Sequence, residues 1–172
     1  MIRSYKGIVP TIHPTVFLAE GCQIIGDVVL EKDCSVWFNT VIRGDVHYIR
    51  IGQRTNIQDN AVIHVTHQKY PCVIGSNVTV GHGAIVHAAT VKDYVLIGMG
   101  AIILDNATIE PYSLVAAGTV VPEGFIVPEG SLVAGVPAKI KRTLTTEEKK
   151  GLEKSAQNYI DYVRTYREDQ TT

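Results

Sequence analysis

No run of this 172-residue chain is apolar for long enough to cross a bilayer. The longest, Val95 to Leu104, contains two glycines and stops at Asp105, well short of the roughly 20 residues a helical span needs. The start, Met1-Ile-Arg-Ser-Tyr-Lys-Gly7, lacks the apolar stretch of a signal peptide. Charge of one sign is also missing: 16 Lys and Arg face 17 Asp and Glu, for a net charge of −1. That balance gives no electrostatic case for nucleic acid or an anionic membrane. Cysteine is scarce and unpaired in number, with Cys22, Cys34 and Cys72 at loose spacing. This fits neither a disulfide framework nor a zinc ribbon. The expectation is a reduced, cytoplasmic protein in which Cys22 and Cys34 are small buried apolar residues.

What the chain has in abundance is a repeat of six. Aliphatic residues recur at Ile12, Leu18, Ile24, Leu30, Val36 and Ile42, then at Ile51, Ile57 and Ile63, then at Ile74, Val80 and Val86. One step of five leads to Val91, Ile97, Ile103, Ile109, Val115, Val121, Val127 and Val133. Four positions after most of these sits a small or β-branched residue, such as Cys22, Val28, Cys34, Thr40, Val78, Ala84, Thr90, Val95 and Ala101; Phe125 and Pro137 are exceptions. A period of six matches neither a helix nor simple strand alternation. It matches short strands with a corner after each, three to a triangular coil, the coils stacking roughly 4.8 Å apart. The hexapeptide signature resembles the left-handed parallel β-helix, an all-β solenoid whose handedness departs from the usual crossover rule. The twenty repeats just named make between six and seven coils.

Two interruptions stand out. The step from Ile42 to Ile51 carries three extra residues around His47-Tyr48, and the step from Ile63 to Ile74 carries five, in Val65-Thr-His-Gln-Lys-Tyr-Pro71. Loops leaving a rigid solenoid tend to carry function. After Gly135-Val-Pro-Ala-Lys139 the pattern changes. Thr145-Thr-Glu-Glu148 is a capping box. Leu152, Ala156, Tyr159, Val163 and Tyr166 then mark an amphipathic helix to about Arg167, with Thr171-Thr172 frayed. The expected division is a β-helix over 1–140 and a helix over 141–172 that packs on it.

The repeat register serves as a ruler. Ile42, Ile63, Val86 and Ile103 share one column, so Arg43, His64, His87 and Leu104 stack just after it. His64 and His87 then lie one coil apart, with Cα atoms roughly 5 Å from each other, close enough for two imidazoles to meet one metal ion. His82 belongs to the preceding corner, up to roughly 17 Å along the chain from His87. It therefore either does not share that ion or reaches it from a neighbouring molecule. In a trimer of parallel β-helices each interface would hold His64 and His87 of one chain and His82 of the next. Asp59 stacks under His82, flanked by Asn56 and Gln58, and Arg43 and Asp45 lie beneath His64. Arg43, Asp45, Asn56, Gln58, Asp59 and Tyr159 are therefore the candidate catalytic residues, although Arg43 and Asp45 read at least equally well as an interface salt bridge, Gln58 as an orienting partner and Tyr159 as helix packing. Trp37 and Phe38 are outward or corner residues suited to an interface. His13 and His47 read as ordinary surface histidines.

With these residues in view, the chain resembles the γ-class carbonic anhydrases and their short relatives. The resemblance rests on Ile42-Arg-Gly-Asp45, Asn56-Ile-Gln-Asp-Asn60, His64 and Gly81-His-Gly-Ala-Ile-Val-His87, and it extends over nearly the whole chain. It implies a homotrimer with zinc (or iron or cobalt) at each interface, and reversible hydration of CO2 to bicarbonate. His64, His82 and His87 would be the ligands. Arg43 and Asp45 would form the interface pair, Asp59 would support a histidine, and Gln58 would contact the bound hydroxide or bicarbonate. One departure concerns proton transfer: Val46 follows Asp45, and Thr66 to Pro71 contains no carboxylate, leaving His67 as the obvious substitute. The competing readings are a coenzyme A-dependent hexapeptide acyltransferase or thioesterase, favoured by Gly135-Val-Pro-Ala-Lys139, and a metal-binding scaffold without turnover.

Overall fold

The hydrophobic rhythm closes into a parallel β-solenoid, seen in a computed structural model that describes residues 1–169. The expected fraying at Thr171-Thr172 lies outside the described residues. One face stacks seven parallel strands, from Phe17–Leu18 through Ser35–Val36, Asn56–Ile57, Thr79–Val80, Leu96–Ile97 and Leu114–Val115 to Ser131–Ala134. The other two faces join into one sheet because two strands are longer than a six-residue coil predicts. Gln23–Leu30 and Val41–Ile51 continue round a corner without a break. Glycine allows this. A Cβ on Gly26, whose φ is +75°, would lie 2.4 Å from the Gly44 carbonyl oxygen, and one on Gly44 would lie 2.6 Å from that of Asp27. Many remaining corners use left-handed residues, among them Asp33, Asn39, Asn60, Asn77 and Asn106, the types that tolerate positive φ best.

The aliphatic column fills the axis. Ile24, Ile42, Ile57, Ile63, Val80, Val86, Ile97 and Ile103 have no measurable exposure. Each contributes about 1.5–3 kcal/mol by leaving water, an upper estimate because the unfolded chain already buries part of this surface. The small positions Cys22, Val28, Cys34, Thr40, Val78, Ala84, Val95 and Ala101 are inward as expected. Thr90 is not. The five-residue step shortens that coil, so Ala89 takes the inward place. Thr90 turns outward, in register with Val73 and Thr108. All three cysteines are free and buried. Burial pushes the Cys34 and Cys72 thiols up to about 12, which keeps them protonated and unreactive.

The capping box forms as written: the Glu148 N–H donates to Thr145 Oγ1 (3.2 Å) and the Thr145 N–H to Glu148 Oε2 (2.8 Å). It starts the helix Thr146–Asp169. Twenty-four residues at about 1.5 Å each reach roughly 36 Å, enough to follow all seven coils at roughly 4.8 Å spacing. The contacts along it run back down the stack. Tyr112 meets Glu153 (3.1 Å), Thr79 meets Ser155 (3.1 Å), Arg54 meets Gln157 (2.7 Å) and Arg167 reaches the Thr15 carbonyl (2.8 Å). Leu152, Ala156 and Val163 are buried beneath it. Trp37, expected at an interface, is instead buried against this helix, with its ring 5.3 Å from Tyr159, 5.2 Å from Tyr166 and 5.3 Å from Phe17. Phe38 packs at the edge of the same cluster. The helix thus covers this apolar patch within the chain itself. No helix among the described residues is long and apolar enough to cross a membrane.

Candidate metal centre

The register places the histidines as the ruler predicts. His87 pairs with His64 across adjacent parallel strands, Ile85–His87 on Val62–His64. Their ring centroids are 5.1 Å apart, and His64 Nδ1 faces His87 Nε2 at 3.1 Å. Each ring's other nitrogen meets a carboxylate. His64 Nε2 lies 3.1 Å from Asp45 Oδ1, and His87 Nδ1 lies 2.6 Å from Asp105 Oδ1. An ionised carboxylate only accepts hydrogen bonds, so these contacts put the ring protons on His64 Nε2 and His87 Nδ1. In neutral rings the two nitrogens that face each other then carry lone pairs. A cation suits such a pair better than a hydrogen bond does. Two nitrogens about 2 Å from one tetrahedral ion would stand roughly 3.3 Å apart, close to the observed spacing.

His82 repeats the scheme at the corner. Its Nδ1 lies 2.6 Å from Asp59 Oδ2, which leaves Nε2 uncommitted to that carboxylate. Its main-chain N–H donates to Gln58 Oε1 (3.2 Å), Gln58 Nε2 donates to Asn56 Oδ1 (3.1 Å), and Asn56 Nδ2 donates to Thr79 Oγ1 (3.0 Å). Gln58 and Asn56 are buried, so this chain of amides is a fixed support beneath His82. Tyr159 stands on the same side. Its hydroxyl is pushed up to about 12 by burial and by the negative charge of Asp59. Among the described residues, no three His, Cys, Asp or Glu side chains of one chain gather closely enough to hold a metal. His64 and His87 come together, and His82 does not join them within the chain.

The electrostatics around the pair are directional. Arg43 is hydrogen-bonded to Asp45. Burial pushes the Asp45 carboxyl up, and the hydrogen bonds from Arg43 and His64 outweigh it, holding the group below the usual range. His64 is shifted down, mostly by burial, so its neutral, ligand-competent form is favoured. Asp105 and Thr66 were missed in the sequence. Thr66 hydrogen-bonds to the second oxygen of Asp105. Burial raises the Asp105 pKa, and the bonds from Thr66 and His87 overcome that, leaving it low. The available signal was simple: Asp105 follows Leu104, the residue that continues the His64 and His87 column.

The two insertions meet beside the pair. The Gln68 N–H donates to the Val46 carbonyl (3.1 Å), and Thr66 and Tyr70 close the loop. His67 is exposed on it. A cavity of about 400 Å³, lined by Tyr5, Ile8, Asp45, Val46, His47 and Tyr48, opens next to Asp45. The His13 ring hydrogen-bonds to Thr15 and the His47 ring accepts the Tyr48 N–H, away from this pair.

A left-handed hexapeptide solenoid carrying three carboxylate-backed imidazoles defines the class of protein. Its relatives define it further. The carbonic anhydrase of Geobacillus kaustophilus is 44% identical over 161 residues, 94% of this chain and 88% of that one. The mitochondrial gamma carbonic anhydrase 2 of Arabidopsis thaliana is 42% identical over 157 residues, 88% of this chain. The chain spans 56% of that relative's length. The crystal structure of a hexapeptide transferase family protein from Anaplasma phagocytophilum superposes with a TM-score of 0.93 at 45% identity, covering 96% of this chain and 98% of that one. No family model matches the chain. The chain belongs to the γ-class carbonic anhydrase-like family of hexapeptide-repeat proteins.

Proposed function

We propose that the chain catalyses reversible hydration of CO2 to bicarbonate at sites shared between the subunits of a homotrimer. The observation that carries this reading is the opposed pair His64 Nδ1 and His87 Nε2, 3.1 Å apart, with both other nitrogens tied to carboxylates. His64 and His87 of one subunit and His82 of its neighbour would hold a divalent ion, zinc or in its place iron or cobalt. Such an ion supplies the acidity that makes water a nucleophile at a pKa of about 7, a value for which carbonic anhydrase is itself the standard example.

The chain's own groups do the rest. Asp45 and Asp59 keep ring protons on the nitrogens turned away from the ion's place. Arg43 keeps Asp45 ionised. Asn56 fixes the Gln58 carboxamide, which steadies His82 and would be the amide that hydrogen-bonds bicarbonate. Tyr159 stays neutral and packs the corner that carries Asp59. His67 passes the proton to solvent in a loop without carboxylates. Three reduced thiols suit a cytoplasmic setting.

A second reading, coenzyme A-dependent acyl transfer or thioester hydrolysis, is favoured by the Gly135-Val-Pro-Ala-Lys139 ending and by the transferase name of the Anaplasma protein. Metal analysis of the purified protein separates the two, followed by stopped-flow CO2 hydration on zinc- and iron-loaded samples. The proposal expects on the order of one ion per chain and hydration above buffer. Absence of metal, with His64→Ala leaving oligomer and activity intact, would overturn it. Metal without hydration under either loading would reduce the protein to a scaffold.

A further inference from the structure

Asp105 belongs to none of the motifs that carry the family resemblance, yet its carboxylate bridges two groups of the site. Oδ1 lies 2.6 Å from His87 Nδ1, and Oδ2 takes the Thr66 hydroxyl. It stands at the start of the next corner after the strand Ile102–Ile103, one coil above His87. It is half-buried, with 24% of its side chain exposed. A carboxylate in this place is not needed to fill the coil, because the inward positions on either side are held by Ile103 and Ala107.

We infer that Asp105 is a positioning residue that fixes the His87 ring in its Nδ1–H form, with Nε2 turned to His64, and ties that ring to the insertion loop through Thr66. This rests on the proposed metal site. A neutral imidazole carries its proton on either nitrogen, and a carboxylate acceptor at Nδ1 selects one form. Without Asp105 the ring could protonate at Nε2 and donate to His64 Nδ1, 3.1 Å away. The pair would then close on itself as an ordinary hydrogen bond. Asp105 opposes that closure, as Asp45 does from the other ring. The second bond gives it a further role. Thr66 is the first residue of the turn closed on Tyr70, and the same turn rests on Val46 through Gln68. Asp105 therefore joins the ring to the segment bearing His67.

The test combines metal affinity with a readout on the metal-free protein. Zinc affinity is measured by chelator competition for wild type, Asp105→Ala, Asp105→Asn and Thr66→Val. The His87 tautomer is read from its ring 15N shifts at about pH 8–9, where neutral imidazole dominates. Asp105→Ala is expected to bind zinc about 10–100-fold more weakly and to show mixed His87 tautomers. Asp105→Asn, which can still offer an amide oxygen to Nδ1–H, is expected to recover most of the tautomer and part of the affinity. It also stands in if the alanine variant does not fold. Thr66→Val should keep the tautomer and lose less affinity. Unchanged affinity and tautomer in a folded Asp105→Ala or Asp105→Asn protein overturns the inference. If the wild type binds no zinc, the proposed function fails and the tautomer alone decides. Nδ1–H in wild type with a mixture in Asp105→Ala upholds the positioning role, and a mixture in both overturns it.

Discussion

His64 and His87 stand one above the other on a flat face, whereas His82 stands at the corner before that face. The column is sheltered and the corner is open. The His64 side chain is 18% exposed and that of His82 is 48% exposed. The supports differ too. The column leans on carboxylates from the coils below and above, Asp45 and Asp105, and on the two insertions. The corner leans on Asp59 and on an amide chain running to Thr79 and the helix residue Ser155. The column already brings two donor atoms together, while the corner offers one donor to whatever lies beyond the chain. This asymmetry is what a site divided between two copies requires.

The largest effect should come from mixing defects in the two halves. His82→Ala and His87→Ala are each expected to empty the site when made alone. In the proposed trimer, an assembly containing both variants would have one junction at which an intact column faces an intact corner. Metal content should therefore return to roughly a third of wild type in mixed trimers. If mixing restores nothing while trimers still form, the ligands come from one chain and the comparison collapses.

Next in size is the aromatic cluster that seats the helix beside the corner. Trp37→Ala removes a buried ring packed on Phe17, Tyr159 and Tyr166. It should cost about 3–5 kcal/mol, measured by denaturant melting at fixed protein concentration. Amide exchange should speed up in Thr146–Asp169 while Val62–His64 stays protected. Equal loss of protection in both would mean that the column depends on the helix as much as the corner does.

Carboxylate neutralisation sharpens the contrast at smaller cost. Asp45→Asn removes a charge that is 14% exposed and bonded to both Arg43 and His64, whereas Asp59 is 30% exposed. Zinc affinity should fall by up to about 100-fold for Asp45→Asn and by nearer tenfold for Asp59→Asn. A larger loss at Asp59 would reverse the assignment of the column as the preorganised half.

Much of this was legible because a six-residue coil turns sequence distance into spatial position. The pairing of His87 on His64, the stacking of Asp59 under His82 and the three-residue excess near His47 all follow from counting. Counting failed where side chains, and not register, decide. Trp37 sits at an outward position whatever covers it, and only packing shows that its own helix does. Thr90 was misplaced because a five-residue step leaves open which residue drops out. Asp105 was missed because it lies past the end of its column, at a corner whose side chain reaches back one coil to His87.

The smallest effect is expected at Tyr159, where the two halves are easiest to confuse. It was a candidate catalytic residue, and it feels the charge of Asp59, yet its ring packs edge-on against Trp37 at 5.3 Å. Its hydroxyl is raised to about 12, so the neutral form persists throughout the range in which a hydratase is assayed. A raised phenol cannot supply an ionising limb near neutrality. Tyr159→Phe keeps the ring and removes only the hydroxyl. It should change the hydration rate by less than about threefold, near 0.6 kcal/mol, and leave the pH profile where it was. A displaced limb, or a rate loss of about 100-fold or more, would move Tyr159 from the packing of the corner into the chemistry of the centre.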